Sequence, residues 1–257
     1  MSRRASTVAA VLALWSGNAQ AAPVTVMISG GLNTAYRALA PRFETKSRDT
    51  LVTVEGASMG ANPTAIPARL DRGEPADVII VLRQAMDGLI AKGHVMKDSV
   101  TDIGVGHIAM AVRTGAAKPD IHTVAAFRKA MLAARSIACT DSAGGNYLRQ
   151  VVFKRLGIER EMAAKTVTVS GAPVGPGLAR GDYEVGFQQL SELKALPGIE
   201  VVGLIPETLQ QATVFSAAIA TKAKNPKGAR DLVRLLASPD AAPVIEASGL
   251  EAVHKAR

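Results

Sequence analysis

Three glycine-rich turns hold the groups in this chain best suited to gripping a ligand: Ser29-Gly30-Gly31-Leu32-Asn33, Gly56-Ala57-Ser58-Met59-Gly60 and Asp141-Ser142-Ala143-Gly144-Gly145-Asn146. Each stands where an apolar, β-branched run ends and a helical pattern begins. Backbone N–H groups at a helix start lack intrahelical acceptors, and the helix dipole adds partial positive charge there, so such turns favour anions. The candidate contacts are Ser29, Gly30 and Gly31 in the first turn, Ser58 and Met59 in the second, and Ser142, Ala143, Gly144 and Gly145 in the third. Arg83 ends the apolar run from Asp77 to Leu82 and is expected at the same strand ends. Its planar fork could clamp a carboxylate at two points; the alternative is a surface arginine closing a strand. Gln188 and Gln189 follow the run from Glu184 to Phe187, where they could face the same cleft or merely begin a polar helix.

Other chemistries find weaker footing. The second turn also fits G-x-S-x-G, the nucleophile elbow of α/β-hydrolases, with Ser58 as nucleophile. That elbow would follow only the second strand, no His-Gly-Gly precedes it, and none of His107, His122 and His254 stands in an obvious loop after a late strand. The four histidines, His94 included, show no i, i+4 spacing and no neighbouring acidic pattern, so no metal site is expected. Walker and G-x-G-x-x-G patterns are both missing, which argues against a nucleotide, and no cofactor is expected.

The elements that must position these turns follow from the hydrophobic pattern. Strands are expected at Val24 to Ile28, Leu51 to Val54 and Asp77 to Leu82, with helices at Asn33 to Lys46, Thr64 to Arg72 and Gln84 to Lys92. This βαβαβα order describes a parallel sheet covered by helices. After a break at Gly104-Val105-Gly106 a second series begins. It has strands at His107 to Val112, Ser136 to Cys139, Thr166 to Val169 and Glu184 to Phe187, and helices at Ala125 to Ala134 and Gly144 to Leu156. A long strand, Thr213 to Ala220, and two helices, Lys227 to Ala237 and Pro239 to Ala247, close the chain, while Pro197 to Gln211 mixes strand and loop signals.

Arg3 and Arg4, the uncharged run from Ala5 to Trp15 and Ala19-Gln20-Ala21 describe a cleavable secretory signal, so export to the periplasm is expected. Cys139 is the single cysteine, which excludes an intramolecular disulfide, and it reads as a buried strand residue. The net charge of +8 comes with scattered basic residues and only 4% aromatics, which argues against nucleic acid and is explained by a small anionic ligand or by a basic solvated surface.

The stretch from Val24 to Val95 resembles the periplasmic molybdate-binding proteins and the wider type II solute-binding proteins of ABC importers. The likeness is densest in Arg69-Leu70-Asp71-Arg72-Gly73-Glu74-Pro75-Ala76-Asp77-Val78, continues through Met86-Asp87-Gly88-Leu89-Ile90 and recurs at Gly181-Asp182-Tyr183-Glu184-Val185-Gly186. The resemblance implies a two-lobed α/β fold, each lobe a mostly parallel sheet flanked by helices, with the ligand in the cleft between them. It also implies four segments: 1–21 as signal peptide, 22–106 as the first part of lobe 1, 107–212 as lobe 2, and 213–257 as the return to lobe 1.

The neutral donors of molybdate binders match unevenly. Ser58 falls on the serine of the second turn, Gly31 on the serine of the first with Ser29 nearby, Asp141 to Gly145 on a proline-containing loop, and about Gln189 on a tyrosine. Arg83 closes Val81-Leu82-Arg83 where that family has serine, alanine and aspartate, which points towards a carboxylate. A further likeness, carried by Met27 to Gly31, Gly56 to Gly60, Ala65 to Leu70 and Gly186 to Gln189, is to the periplasmic aconitate isomerases.

Two functions follow from the resemblance. The first is a monomeric receptor handing a small di- or tricarboxylate to an ABC permease. The alternative is an isomerase that shifts an allylic proton between trans- and cis-aconitate, for which Glu55, Glu192 and Glu207 are candidate bases.

Overall fold

The computed structural model describes residues 23–60 and 62–255. The proposed signal segment lies outside them. Two mixed sheets, each with its own apolar clusters, form the two lobes.

The first sheet takes the order β11-β4-β10-β3-β1-β2. Its strands are β1 (Val24–Ile28), β2 (Leu51–Glu55), β3 (Val78–Leu82), β4 (Thr101–Gly106), β10 (Thr213–Ile219) and β11 (Glu251–Ala252). Helices α1 (Gly30–Ser47), α2 (Ile66–Asp71), α3 (Arg83–Ala91), α10 (Pro226–Leu236) and α11 (Ala242–Ala247) belong to this lobe. The second sheet is β7-β6-β8-β5-β9, with β5 (Ile108–Arg113), β6 (Ile137–Thr140), β7 (Thr166–Val169), β8 (Val185–Gln189) and β9 (Ile199–Leu204). Around it lie α4 (Val124–Ala133), α5 (Ala143–Tyr147), α6 (Phe153–Arg155), α7 (Glu159–Ala163), α8 (Gly175–Arg180) and α9 (Leu190–Leu193). A π-helical turn, Leu148–Val152, joins α5 to α6 in one continuous helix.

Each sheet is parallel where βα units build it and antiparallel where the lobes exchange chain. β1 pairs in parallel with β2 and β3, whereas β10 runs antiparallel to β3 and β4. In the second sheet β6 pairs in parallel with β7 and β8, and β5 runs antiparallel to β8 and β9. The chain passes from β4 into β5 through His107 alone and returns from β9 to β10 through residues 205–212. The apolar sequence of β3 is explained by its place: it is flanked by β1 and β10 and sealed by helices on both faces, so Val78 to Val81 are fully buried.

Two expectations need correction. Gly104-Val105-Gly106 is no break but the end of β4. Gly104 lies against the Glu251 carbonyl and Leu250, and Gly106 against Phe215, so these glycines admit neighbouring groups that a side chain would exclude. Gln188 and Gln189 do not follow a strand; they are its last two residues, opposite Ala109 and Ile108 of β5.

Asp77, in the segment that carries the family resemblance most strongly, does structural work. Its buried carboxylate accepts the N–H groups of Thr25 (2.7 Å), Lys224 (2.6 Å) and Asn225 (2.8 Å), tying β1 to the entry of α10. Cys139 is fully buried in β6, and burial pushes its thiol up.

Candidate functional site

Strand direction decides where the turns meet. β1, β2 and β3 end at one edge of the first sheet, and β6 and β8 end at one edge of the second. Ser29, Gly56 and Arg83 therefore share one bank of the inter-lobe cleft, and Ser142 and Gln189 lie on the other.

Ser29 precedes α1 with extended backbone, φ −94° and ψ 158°, and its side chain makes no cap bond. The residue is 5% exposed and its hydroxyl has no partner among the described residues. Gly30 and Gly31 open α1, and both positions are crowded: a Cβ on Gly30 would run into Glu192 Oε1, and one on Gly31 into the Phe215 ring. The second turn is pinned beside them, since Gly56 N–H donates to the Ile28 carbonyl at 3.1 Å. Ser58 Oγ accepts the Leu82 N–H at 3.1 Å, and that hydroxyl keeps its own proton for a further acceptor. Met59 stands exposed on the same turn. Arg83 is the first residue of α3; its half-exposed guanidinium lies 3.7 Å from Asp87, its one ion-pair partner among the described residues.

On the opposite bank Ser142 caps α5, accepting the Gly145 N–H at 3.5 Å and sharing a hydrogen bond of 2.7 Å with Thr140 Oγ1. Ala143 is the first helical residue, and Gly145 sits against the Thr140 carbonyl with no room for a side chain. Ser142, Gly144, Gly145, Gln188 and Gln189 line a concavity of about 10 Å³, room for one water. Gln188 Oε1 accepts the Val174 N–H at 3.1 Å. Gln189 Nε2 donates across the lobe junction to Thr213 Oγ1 at 3.3 Å, leaving Gln189 Oε1 buried with no partner among the described residues.

Glu192 joins the two banks. It belongs to α9, which follows β8 of the second sheet yet is fastened to the first lobe. Ser191 Oγ donates to the Gly31 carbonyl at 2.7 Å, Thr34 Oγ1 to the Ser191 carbonyl at 3.4 Å, and Lys194 Nζ to the Ala247 carbonyl at 2.8 Å. These bonds hold the Glu192 carboxyl over the start of α1. Burial pushes that carboxyl above the usual carboxylate range, and donation from the Gln188 side chain and the Gln189 N–H partly offsets this.

The other two proposed bases fare differently. Glu55, at the end of β2, accepts from Arg37 at 2.5 Å and from Asn33 at 2.9 Å, and these donors hold it below the usual range. Its proton affinity is therefore reduced where that of Glu192 is increased. Glu207 stands exposed on the 3-10 turn Glu207–Leu209, and no described contact joins it to the turns.

Three histidines do have carboxylate partners: His94 with Asp71 and His107 with Glu251, which are distant in the chain, and His122 with Asp120, only two residues before it, contrary to the expectation of no acidic neighbour. His254 bonds the Asp102 carbonyl instead, and no described hydrogen bond joins a histidine to Ser58. Among the described residues no three His, Cys, Asp or Glu side chains converge on a metal position. Sequence reasoning missed Asn33, Ser191, Thr213 and Phe215. All four act through contacts with distant parts of the chain, which no local pattern marks.

Two α/β lobes joined by crossing segments, with strand ends and helix starts converging at their junction, define a ligand-binding protein of the two-lobed solute-binding class. The chain belongs to the bacterial extracellular solute-binding protein family, whose match spans residues 24–251. It is 47% identical over 230 residues to an aconitate isomerase from a Pseudomonas species, covering 90% of this chain and 88% of that protein. Its fold is similar to that of the periplasmic molybdate-binding protein of Azotobacter vinelandii, with TM-score 0.72 and 20% identity over 88% of this chain and 98% of the other. It is also similar to the sulfate-binding protein of Mycobacterium tuberculosis, with TM-score 0.71 and 16% identity over 90% and 87% of the two chains.

Proposed function

We propose that this protein is a cofactor-independent isomerase of a tricarboxylate, interconverting trans- and cis-aconitate in the periplasm on a solute-binding scaffold. The observation that carries this reading is Glu192. A receptor for an anion gains nothing from a carboxyl group held over an anion-binding helix start, where its charge would repel the ligand. A carboxyl whose proton affinity is raised by burial is instead suited to take and return a proton near neutral pH. The 47% identity to an aconitate isomerase supports the same reading and names the substrate class.

In this mechanism the N–H groups of Gly30 and Gly31, the Ser29 and Ser58 hydroxyls and the Arg83 guanidinium hold substrate carboxylates. Ser142 and the N–H groups of Ala143 to Gly145 close on the substrate from the second lobe. Glu192 removes a proton from the methylene carbon as the C–H bond breaks. The electron pair spreads over the allylic system into the neighbouring carboxylate, where the donors at the helix starts stabilise it. The proton returns to the former vinylic carbon, and rotation before its return sets the cis or trans product.

The family and the donor-rich first bank favour a second reading, in which the same cleft delivers a di- or tricarboxylate to an importer. Incubating the purified chain with trans-aconitate in chelator-containing buffer separates the two. An isomerase reaches the same cis/trans ratio from either side over many turnovers and exchanges the allylic hydrogen in D₂O. Stoichiometric binding with no turnover over hours at micromolar protein rejects the isomerase and leaves the receptor.

A further inference from the structure

Gln188 occupies an unusual position for a strand-end glutamine, because both ends of its carboxamide are committed. Its oxygen accepts the Val174 N–H at 3.1 Å, at the entry to α8, where residues 174–180 pack beneath β8. A carboxamide has one acceptor end and one donor end, so fixing the oxygen fixes where the NH₂ points. Here that end faces the Glu192 carboxyl.

We infer that Gln188 is a positioning residue: with its oxygen tied to the Val174 N–H, it can offer only donors to the Glu192 carboxyl, and so holds that carboxyl against Gly30 at the start of α1. This rests on the reading of Glu192 as the proton-transfer group. The physical reason is an opposition of two effects. Enclosure between α1 and β8 disfavours the carboxylate and raises its proton affinity. A donor locked in place favours the ionised form and works against that rise. The charged groups on the neighbouring elements are engaged elsewhere: Arg37 of α1 by Glu55, His107 beside β5 by Glu251, and Lys194 beyond α9 by the Ala247 carbonyl. Tuning therefore falls to the Gln188 amide and the Gln189 N–H.

The test uses Gln188→Met, which keeps length and removes the donor, and Gln188→Glu, which keeps the acceptor for Val174 and replaces the donor end with a second carboxyl. The Glu192 titration is followed directly by NMR in protein labelled at the glutamate carboxyl carbon, with Glu192→Gln identifying the resonance. Its midpoint should rise by about one pH unit in Gln188→Met, the size of losing one hydrogen bond to a charged group, and further in Gln188→Glu. The acidic limb of kcat/KM for trans-aconitate should move with it. An unmoved midpoint in either folded variant overturns the inference. If the unaltered protein shows no turnover, the isomerase reading fails on its own, and the carboxyl titration still decides the role of Gln188.

Discussion

On the bank of the cleft belonging to the six-stranded sheet lie Ser29, Ser58 and Arg83 with the start of α1. Facing them are Ser142, Gln188 and Gln189 from the five-stranded sheet, and Glu192 spans the gap. Both banks use the same local device, a strand running into a glycine-rich turn and a helix, yet their chemistry differs. The first bank offers hydroxyls, main-chain N–H groups and a guanidinium, all suited to holding negative charge. The second adds neutral amides and a carboxyl whose proton affinity burial raises. A receptor needs only the first kind of surface, whereas proton transfer to a bound anion needs one of each. The contrast also separates two glutamates: the Arg37 and Asn33 donors lower the proton affinity of Glu55, whereas at Glu192 burial outweighs its two neutral donors and raises it.

The sharpest break comes at Glu192. Glu192→Gln should lower turnover of trans-aconitate by about 10²–10⁴-fold, the usual contribution of a positioned acid or base, while calorimetry finds ligand affinity preserved. On the isomerase reading, the acidic limb of kcat/KM in the unaltered protein should lie above the ordinary glutamate range, because the raised group must lose its proton before it can act. The same shift works against stability: as pH rises above the unfolded value of 4.5, the native state loses stability until Glu192 ionises within the fold. Turnover that survives Glu192→Gln would erase the division of labour between the banks.

Arg83 probes the first bank. Its side chain is half exposed, so Arg83→Ala should weaken carboxylate binding by about 2 kcal/mol, the lower end for removing one partner of a charged pair. Lysine at this position should restore only part, lacking the planar fork. Equal affinity in all three proteins would return Arg83 to the solvent surface.

The smallest effect belongs to the Arg37–Glu55 pair, whose side chains are more than half exposed. Arg37→Ala should cost below about 1 kcal/mol in urea unfolding. That cost should be present above the unfolded glutamate value of 4.5 and vanish as pH falls through the lower folded value, since protonated Glu55 no longer gains from its partner. A larger loss of turnover than of stability would make Glu55 part of the site after all.

Much of this arrangement is legible from local pattern. The run Val78 to Leu82 is apolar throughout because it lies inside a sheet, and the three turns are readable because glycine and serine mark strand-to-helix corners. The failures share one cause. β4 is obscured by Gly104 and Gly106, whose lack of side chains serves β11 and Phe215 rather than β4 itself. Gln188 and Gln189 extend β8 because β5 pairs with them, and that pairing joins segments about eighty residues apart.

The sequence alone determined which corners could bind an anion, since a free N–H at a helix start is a property of a few consecutive residues. It could not choose among Glu55, Glu192 and Glu207, because the fitness of a carboxyl for proton transfer depends on what surrounds it. Only the tertiary structure shows how those surroundings differ. Ser191 and Gly31, 160 residues apart, are joined by a hydrogen bond that seats Glu192 over the first turn of α1, while Arg37 and Asn33 close around Glu55. Proton affinity follows desolvation and neighbouring donors, and both are fixed by the packing of distant segments.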